Sequence, residues 1–290
     1  MGRPLLTDDW LAKIGRFQLA TASKLRGQHK GSHRSQRFGA SLDFSDFREY
    51  HLGDDVRQID WNVFARTDKY FIKRFLDEQE MRVHILLDTT KSMSEETKWL
   101  FARQIVASLG WLVLSRDDRL SFSYVQEQPT PPFRRKGAMY RRPFLQIVSD
   151  LEQATSTKSF AQRMLQALPK DSTVLFIVTD GLEPIAEWEQ VFKRLPYFAG
   201  DVRIIQIVTE EEQAPPYTGD MRFVDSETGE AVQVTMSSNV RATYEQTRTF
   251  HEEQLNVLCH RFGIQKIVLK VEDGVQYAVF QQLLKARWIR

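Results

Sequence analysis

At 290 residues, with 42% hydrophobic side chains, the chain can fill a real core as one large domain or two modest ones. Forty basic against thirty-eight acidic side chains leave a formal charge of +2, which excludes a whole-molecule electrostatic preference for nucleic acid or membrane; any such preference must be local. A single cysteine, Cys259, excludes an internal disulfide and a multi-cysteine zinc site and fits a reducing compartment.

The first residues, MGRPLLTDDWLAKIG, carry charges where a secretory leader needs an apolar centre. No stretch reaches the roughly 18 uncharged apolar residues of a membrane span, so the expectation is a soluble, cytoplasmic protein without membrane insertion. From Thr7, a candidate N-cap, apolar residues at positions 10, 11, 14, 17, 19, 20 and 25 predict one helix. Between Asp9 and Asp43 there is no acid, while Lys13, Arg16, Lys24, Arg26, Lys30, Arg34 and Arg37 make a locally basic segment that reads as solvated surface. Residues 43–80 mix aromatics with charges around a turn at Gly53, Asp54 and Asp55 and predict strands and turns. We expect residues 1–80 to pack as an N-terminal extension on a main domain of residues 81–290.

From residue 82 the pattern becomes regular. VHILLD predicts a buried strand, residues 95–115 a helix and RLSFSYVQ a second strand; residues 127–142 read as a loop. Helices follow near 143–153 and 158–168, then the strand STVLFIVTD, a helix in EPIAEWEQVFKRL and the strand DVRIIQIVTE. A hairpin around Thr228 and Gly229, a long helix at 240–262, the strand IQKIVLKV and a last helix after Gly274 complete the chain. Strands alternating with helices imply right-handed crossovers and a doubly wound α/β fold with a mostly parallel sheet.

In such a sheet, ligands bind beyond the carboxyl ends of the strands. Two predicted strands end in acids, Asp88 and Asp180, and the first continues into Thr90 and Ser92. Carboxylates and hydroxyls are hard oxygen donors that suit Mg2+ or Mn2+, and the alternating spacing D-x-T-x-S lets one loop aim three side chains at one point. The bland alternative is that Thr90 and Ser92 cap the following helix while Asp88 bonds backbone amides. Arg134, Arg135, Lys136, Arg141 and Arg142 form a second basic cluster, expected at the same edge, where it could receive an acidic partner or a phosphate.

The D-T-T-K-S run with a later strand ending in T-D-G resembles the metal-ion-dependent adhesion site of von Willebrand factor A domains. Gly53-Asp54-Asp55, Arg57, Ile59-Asp60-Trp61 and Ala65-Arg66, shortly before VHILLDTTKSMS, resemble the signature of a bacterial family catalogued as domain of unknown function fifty-eight. Its members are von Willebrand A-like proteins often encoded beside MoxR-type AAA+ ATPases, and the resemblance runs from about residue 25 to the end. It implies a metal site of Asp88, Thr90, Ser92 and Asp180, and an adaptor or co-chaperone role with a MoxR-type ATPase and a client protein. The adhesion site takes a further threonine from an intervening loop; RRKGAMYRR has none, and Thr155 and Thr157 come later. For Gly53, Asp54, Asp55, Arg57, Asp60 and Arg66 we expect structural ion pairs and turns, with Trp61 as a packing anchor.

A second function class is a haloacid-dehalogenase-like phosphotransferase, with Asp88 as nucleophile and magnesium as charge screen. D-x-T-x-S fits that pattern loosely: Thr90 stands where its general-acid aspartate is common, and Asp180 alone represents its later acidic pair. The chain has no G-x-x-x-x-G-K-[ST] and no G-x-G-x-x-G, which argues against nucleotide binding by this chain itself.

Overall fold

A computed structural model describes residues 4–21, 30–38, 44–125, 131–152, 159–225 and 229–290. The chain divides into two units, Met1–Ser23 with Arg82–Arg290, and Lys24–Met81. The division therefore falls inside the expected extension of residues 1–80. Helix α1 (Asp8–Ile14), capped by Thr7, belongs to the α/β unit: Trp10 is buried and its Nε1 donates to Ser108 Oγ at 2.9 Å. The helix ends at Gly15 rather than continuing toward residue 25. Beyond it, Gln18 and Arg290 exchange backbone hydrogen bonds of 2.9 Å and Leu19 bridges Ile289, so Leu19 and Ala20 serve an extended pairing instead of a helical face.

The smaller unit contains β1 (Lys30–Phe38), β2 (Phe44–Glu49), α2 (Trp61–Thr67) and β3 (Phe71–Gln79), with strand order β1-β3-β2, all antiparallel. The signature residues build its turns. Asp54 accepts from Arg48 at 2.8 Å and from the His51 amide at 2.9 Å, Asp55 accepts from the Arg57 amide, and Gly53 takes a φ of +104°. The Arg48 guanidinium lowers the Asp54 pKa below its ordinary value. Asp60 caps α2 through the Asn62 and Val63 amides, and Arg66 Nε donates back to the Asn62 carbonyl. Trp61, expected to be an anchor, is 60% exposed and packs edge-on against Phe64 and Tyr70. Lys24 and Arg26 of the basic segment lie outside the described residues.

In the larger unit the order is β4 (Arg82–Leu87), α3 (Glu96–Leu114), β5 (Arg119–Tyr124), β6 (Phe133–Lys136), α4 (Arg141–Ser149), α5 (Phe160–Ala167), β7 (Ser172–Thr179), α6 (Ile185–Phe192) and β8 (Ala199–Val208). Then come α7 (Glu210–Gln213), the hairpin β9 (Gly219–Val224) and β10 (Ala231–Met236), α8 (Ser238–Arg261), β11 (Gln265–Lys270) and α9 (Gly274–Tyr277), which continues as a π-helical turn over Ala278–Leu283. Six strands form one sheet in the order β11-β8-β7-β4-β5-β6, and β6 alone is antiparallel to its neighbour. This is a doubly wound α/β fold. One face packs Leu86, Leu175, Ile177 and Ile204 against Phe160, Met164, Trp188, Phe192, Leu255 and Leu258; α1, α3, α4 and α9 group together as a separate helical layer.

The strand β6 corrects the expected loop at 127–142: its four residues are too few to show a period, and Pro131 and Pro132 precede it. Thr155, Thr157 and the hairpin residue Thr228 lie outside the described residues.

Candidate functional site

Because β5 and β6 extend the sheet on one side of β4 and β7, β8 and β11 on the other, the winding reverses between β4 and β7. These two strands are hydrogen-bonded neighbours with Leu87 opposite Val178, so the residues that follow them, Asp88 and Asp180, meet at the switch point where an open α/β sheet forms its crevice. The buried runs that precede each acid set this register, since a slip of one residue would exchange the side chains packed on the two covered faces of the sheet.

Asp88 Oδ1 accepts from the Thr90 amide at 2.9 Å and from Thr90 Oγ1 at 2.8 Å, while Oδ2 accepts from Thr179 Oγ1 at 2.6 Å. Thr90 Oγ1 also lies 3.0 Å from Ser92 Oγ. When Asp88 is ionised it only accepts; the single Thr90 hydroxyl hydrogen then goes to Asp88, and Ser92 donates to Thr90. The chain Ser92 to Thr90 to Asp88 thus directs its hydrogens inward and leaves hydroxyl lone pairs available. Neither hydroxyl caps α3. That place is taken by Glu95, whose carboxylate accepts from the Thr97 amide at 3.0 Å and the Lys98 amide at 2.6 Å.

Asp88 and Asp180 are 1% and 3% exposed. Burial first, and then the charge of Asp180, hold the Asp88 carboxyl well above the usual carboxylate range; the bonds from Thr179 and Thr90 oppose the shift. Asp180 Oδ2 accepts from Lys98 Nζ at 3.0 Å, and its Oδ1 from the Leu182 amide at 3.3 Å. Lys98, with no exposed surface, also reaches the Ser92 carbonyl at 3.1 Å and Glu212 Oε1 at 2.6 Å. Its burial acts to lower its pKa, but Asp180 and Glu212 outweigh that and raise it, so the group is a cation.

Further groups brace the site. Gln206 Nε2 donates to the Asp180 carbonyl at 3.0 Å and is itself held by Lys266 at 2.8 Å; His251 Nε2 lies 3.0 Å from the Gly181 carbonyl. Gly181 has a φ of +74°, and an added Cβ would press on Gln206 at 3.3 Å, so the chain turns away from Asp180 through a residue that has to be glycine. Sequence reasoning missed Lys98, Thr179, Gln206, Glu212 and His251. A signal existed for Lys98, which shares the apolar stripe 98, 101, 102, 105 and 109 of α3.

The basic cluster is not at this edge. Antiparallel β6 carries the chain away from it: Arg134 pairs with Ser121, level with His84, and is therefore about 13 Å down the strand from Asp88. Arg135 lies over Tyr140, and Lys136 pairs with Arg119 at the start of β5. Arg141 and Arg142 stack over Trp111, and Arg142 pairs with Asp8 at 2.7 Å, about 20 Å along α3 from Lys98. The structure therefore joins Asp88, Thr90, Ser92 and Asp180, and separates Arg134, Arg135, Lys136, Arg141 and Arg142 from them.

The donor set fits a small hard cation: two carboxylates, one of them with its pKa raised by burial and then by the charge of the other, and two hydroxyls with free lone pairs. Among the described residues no group of three or more His, Cys, Asp or Glu side chains gathers for a metal, so an ion would depend on these hydroxyls as well as the acids.

Fold and site together define a doubly wound α/β protein with paired carboxylates and a hydroxyl-bearing loop at the switch point. The chain belongs to the family described as Protein of unknown function DUF58, whose match covers residues 46–254. It is similar to uncharacterized protein Rv1480 of Mycobacterium tuberculosis strain H37Rv and uncharacterized protein Mb1516 of Mycobacterium bovis. Each is 22% identical over 249 residues, 83% of this chain and 78% of the relative. Among solved structures it matches BatB from Bacteroides thetaiotaomicron (10% identity, TM-score 0.37, 71% of this chain and 98% of that one). It also matches an aerotolerance-related membrane protein from Bacteroides fragilis (13% identity, TM-score 0.36, 71% and 99%). Among the described residues of this chain, no helix is long and apolar enough to cross a membrane.

Proposed function

We propose that the protein is a cytoplasmic, metal-dependent protein-interaction module that serves a MoxR-type AAA+ ATPase as adaptor or co-chaperone in the assembly of client complexes. The observation that carries this reading is the convergence of Asp88, Thr90, Ser92 and Asp180 at the switch point, with Thr90 Oγ1 2.8 Å from Asp88 Oδ1 and 3.0 Å from Ser92 Oγ. Those four residues would hold Mg2+ or Mn2+, which when bound supplies an electrophilic position that a carboxylate of the partner can complete. Thr179 and the Thr90 amide orient Asp88, and Gln206 and the Leu182 amide orient Asp180, so the donors are placed before a partner arrives. The ATPase and the client come from the family resemblance; nothing in the chain calls for nucleic acid.

A non-enzymatic role is favoured over phosphoryl transfer. Thr90 stands where such a transferase has its general-acid aspartate, and Asp180 alone represents the later acidic pair, so the acid–base set is incomplete. Affinity capture from native lysate tests the proposal, with wild type and Asp88→Ala each in magnesium and in chelator. The ATPase should be retained by wild type in magnesium alone; retention in all four conditions would contradict the metal-dependent mechanism.

A further inference from the structure

Among the buried residues of α3, Lys98 is the only charged one. Its ammonium has three hydrogens and three acceptors: the Ser92 carbonyl at 3.1 Å, Asp180 Oδ2 at 3.0 Å and Glu212 Oε1 at 2.6 Å. Two of these belong to the D-x-T-x-S loop and the strand-end acid. The third is fixed in turn, because Glu212 closes a capping box with Thr209 and its carbonyl accepts from Tyr244 of α8 at 2.9 Å. A buried lysine is costly unless paired, so this arrangement is a built cation position.

We propose that Lys98 is a tethered cation that competes with a divalent ion for the Asp180 carboxylate and thereby sets the metal affinity of the site; this rests on the metal-dependent reading given above. A dication approaching Asp180 meets an ammonium already bonded to one of its oxygens. It must displace that bond or bind beside a like charge in a buried environment, where repulsion is much stronger than in water. The tether also means that Lys98 loses no translational freedom in holding the place. The site then answers only to high divalent concentration, or to a partner whose own carboxylate adds to the pull on the metal.

Mn2+ binding, followed by the loss of its free-ion paramagnetic resonance signal, tests this on the full chain without any activity readout. Lys98→Met should bind Mn2+ at least roughly tenfold more tightly than wild type, and Lys98→Met/Asp88→Asn should lose that gain. Should Lys98→Met fold poorly, Lys98→Met/Glu212→Gln, which removes the ion pair as a unit, must likewise bind more tightly than wild type. Equal or weaker Mn2+ binding by Lys98→Met and by Lys98→Met/Glu212→Gln, with wild type binding measurably, overturns the competition and leaves the metal site standing. No binding by wild type or any variant overturns the metal reading and the competition together.

Discussion

His84, midway along β4, has no exposed surface. Its Nε2 lies 2.8 Å from Ser123 Oγ, whose own hydrogen goes to the Ala167 carbonyl at 2.9 Å. Ser123 can then only accept from the ring, which places the ring hydrogen on Nε2 and leaves Nδ1 buried without a partner. Burial, and after it the charge of Arg134, lowers the His84 pKa from 6.5 to about 3. The unfolded chain takes up this proton near 6.5 and the folded chain does not, so the contribution to stability is complete above that pH. It falls as pH drops through the window down to about 3, by roughly 1.4 kcal/mol per pH unit. Because the raised Asp88 carboxyl acts in the opposite sense over this window, the difference between proteins is the test: between about pH 7 and about pH 5, wild type should lose about 2 kcal/mol more stability in urea denaturation than His84→Gln. An identical pH dependence in the variant would contradict the assignment. At this scale the sequence showed the four site residues, because strand-end acids and alternating hydroxyls carry their chemistry in their spacing. Lys98 and Glu212 stayed hidden: their meeting depends on how α3 and α7 are placed in space, 114 positions apart in the chain.

At the scale of elements, α3 and α4 touch through a glycine. A Cβ on Gly110 would stand 1.9 Å from Phe144 Cε1, and Phe144 is fully buried between the Phe122 and Phe133 rings. Gly110→Ala gains about 1 kcal/mol of helix propensity, but overpacking costs about 1–3 kcal/mol. Displacement of an enclosed ring makes overpacking the larger effect, so the thermal midpoint should fall, and Gly110→Ala/Phe144→Leu should recover most of it. A midpoint at or above wild type for the single variant would show that α4 yields without cost. The alternating strands and helices from residue 82 onward were legible because buried parallel strands read as short aliphatic runs bounded by turns. What was not legible had no local period: α1 stops at Gly15 because residues 18–20 pair with the chain's last strand-like residues, and β6 is an arginine-rich edge strand of four residues.

For the whole molecule, the antiparallel direction of β6 decides which charges can act on the site. Arg134 and Arg135 are separated from Asp88 by more than the ~8 Å over which exposed charges are felt at physiological salt. Arg134→Glu/Arg135→Glu should therefore leave Mn2+ affinity within about twofold of wild type; a larger rise would mean that the cluster's field reaches the site. The expected grouping of this cluster with the acids came from its position in sequence between two strands that do end at the site. Strand direction, which sequence pattern does not report, places it elsewhere.

The central claim, that this protein holds its partner through a metal at Asp88, Thr90, Ser92 and Asp180, is tested most directly with purified components. The affinity of a MoxR-type ATPase for wild type and for Ser92→Ala would be measured in magnesium and in chelator. The account predicts that chelation and Ser92→Ala each weaken binding by at least about tenfold, and that chelation adds little once Ser92 is gone. The same affinity in all four measurements would contradict it.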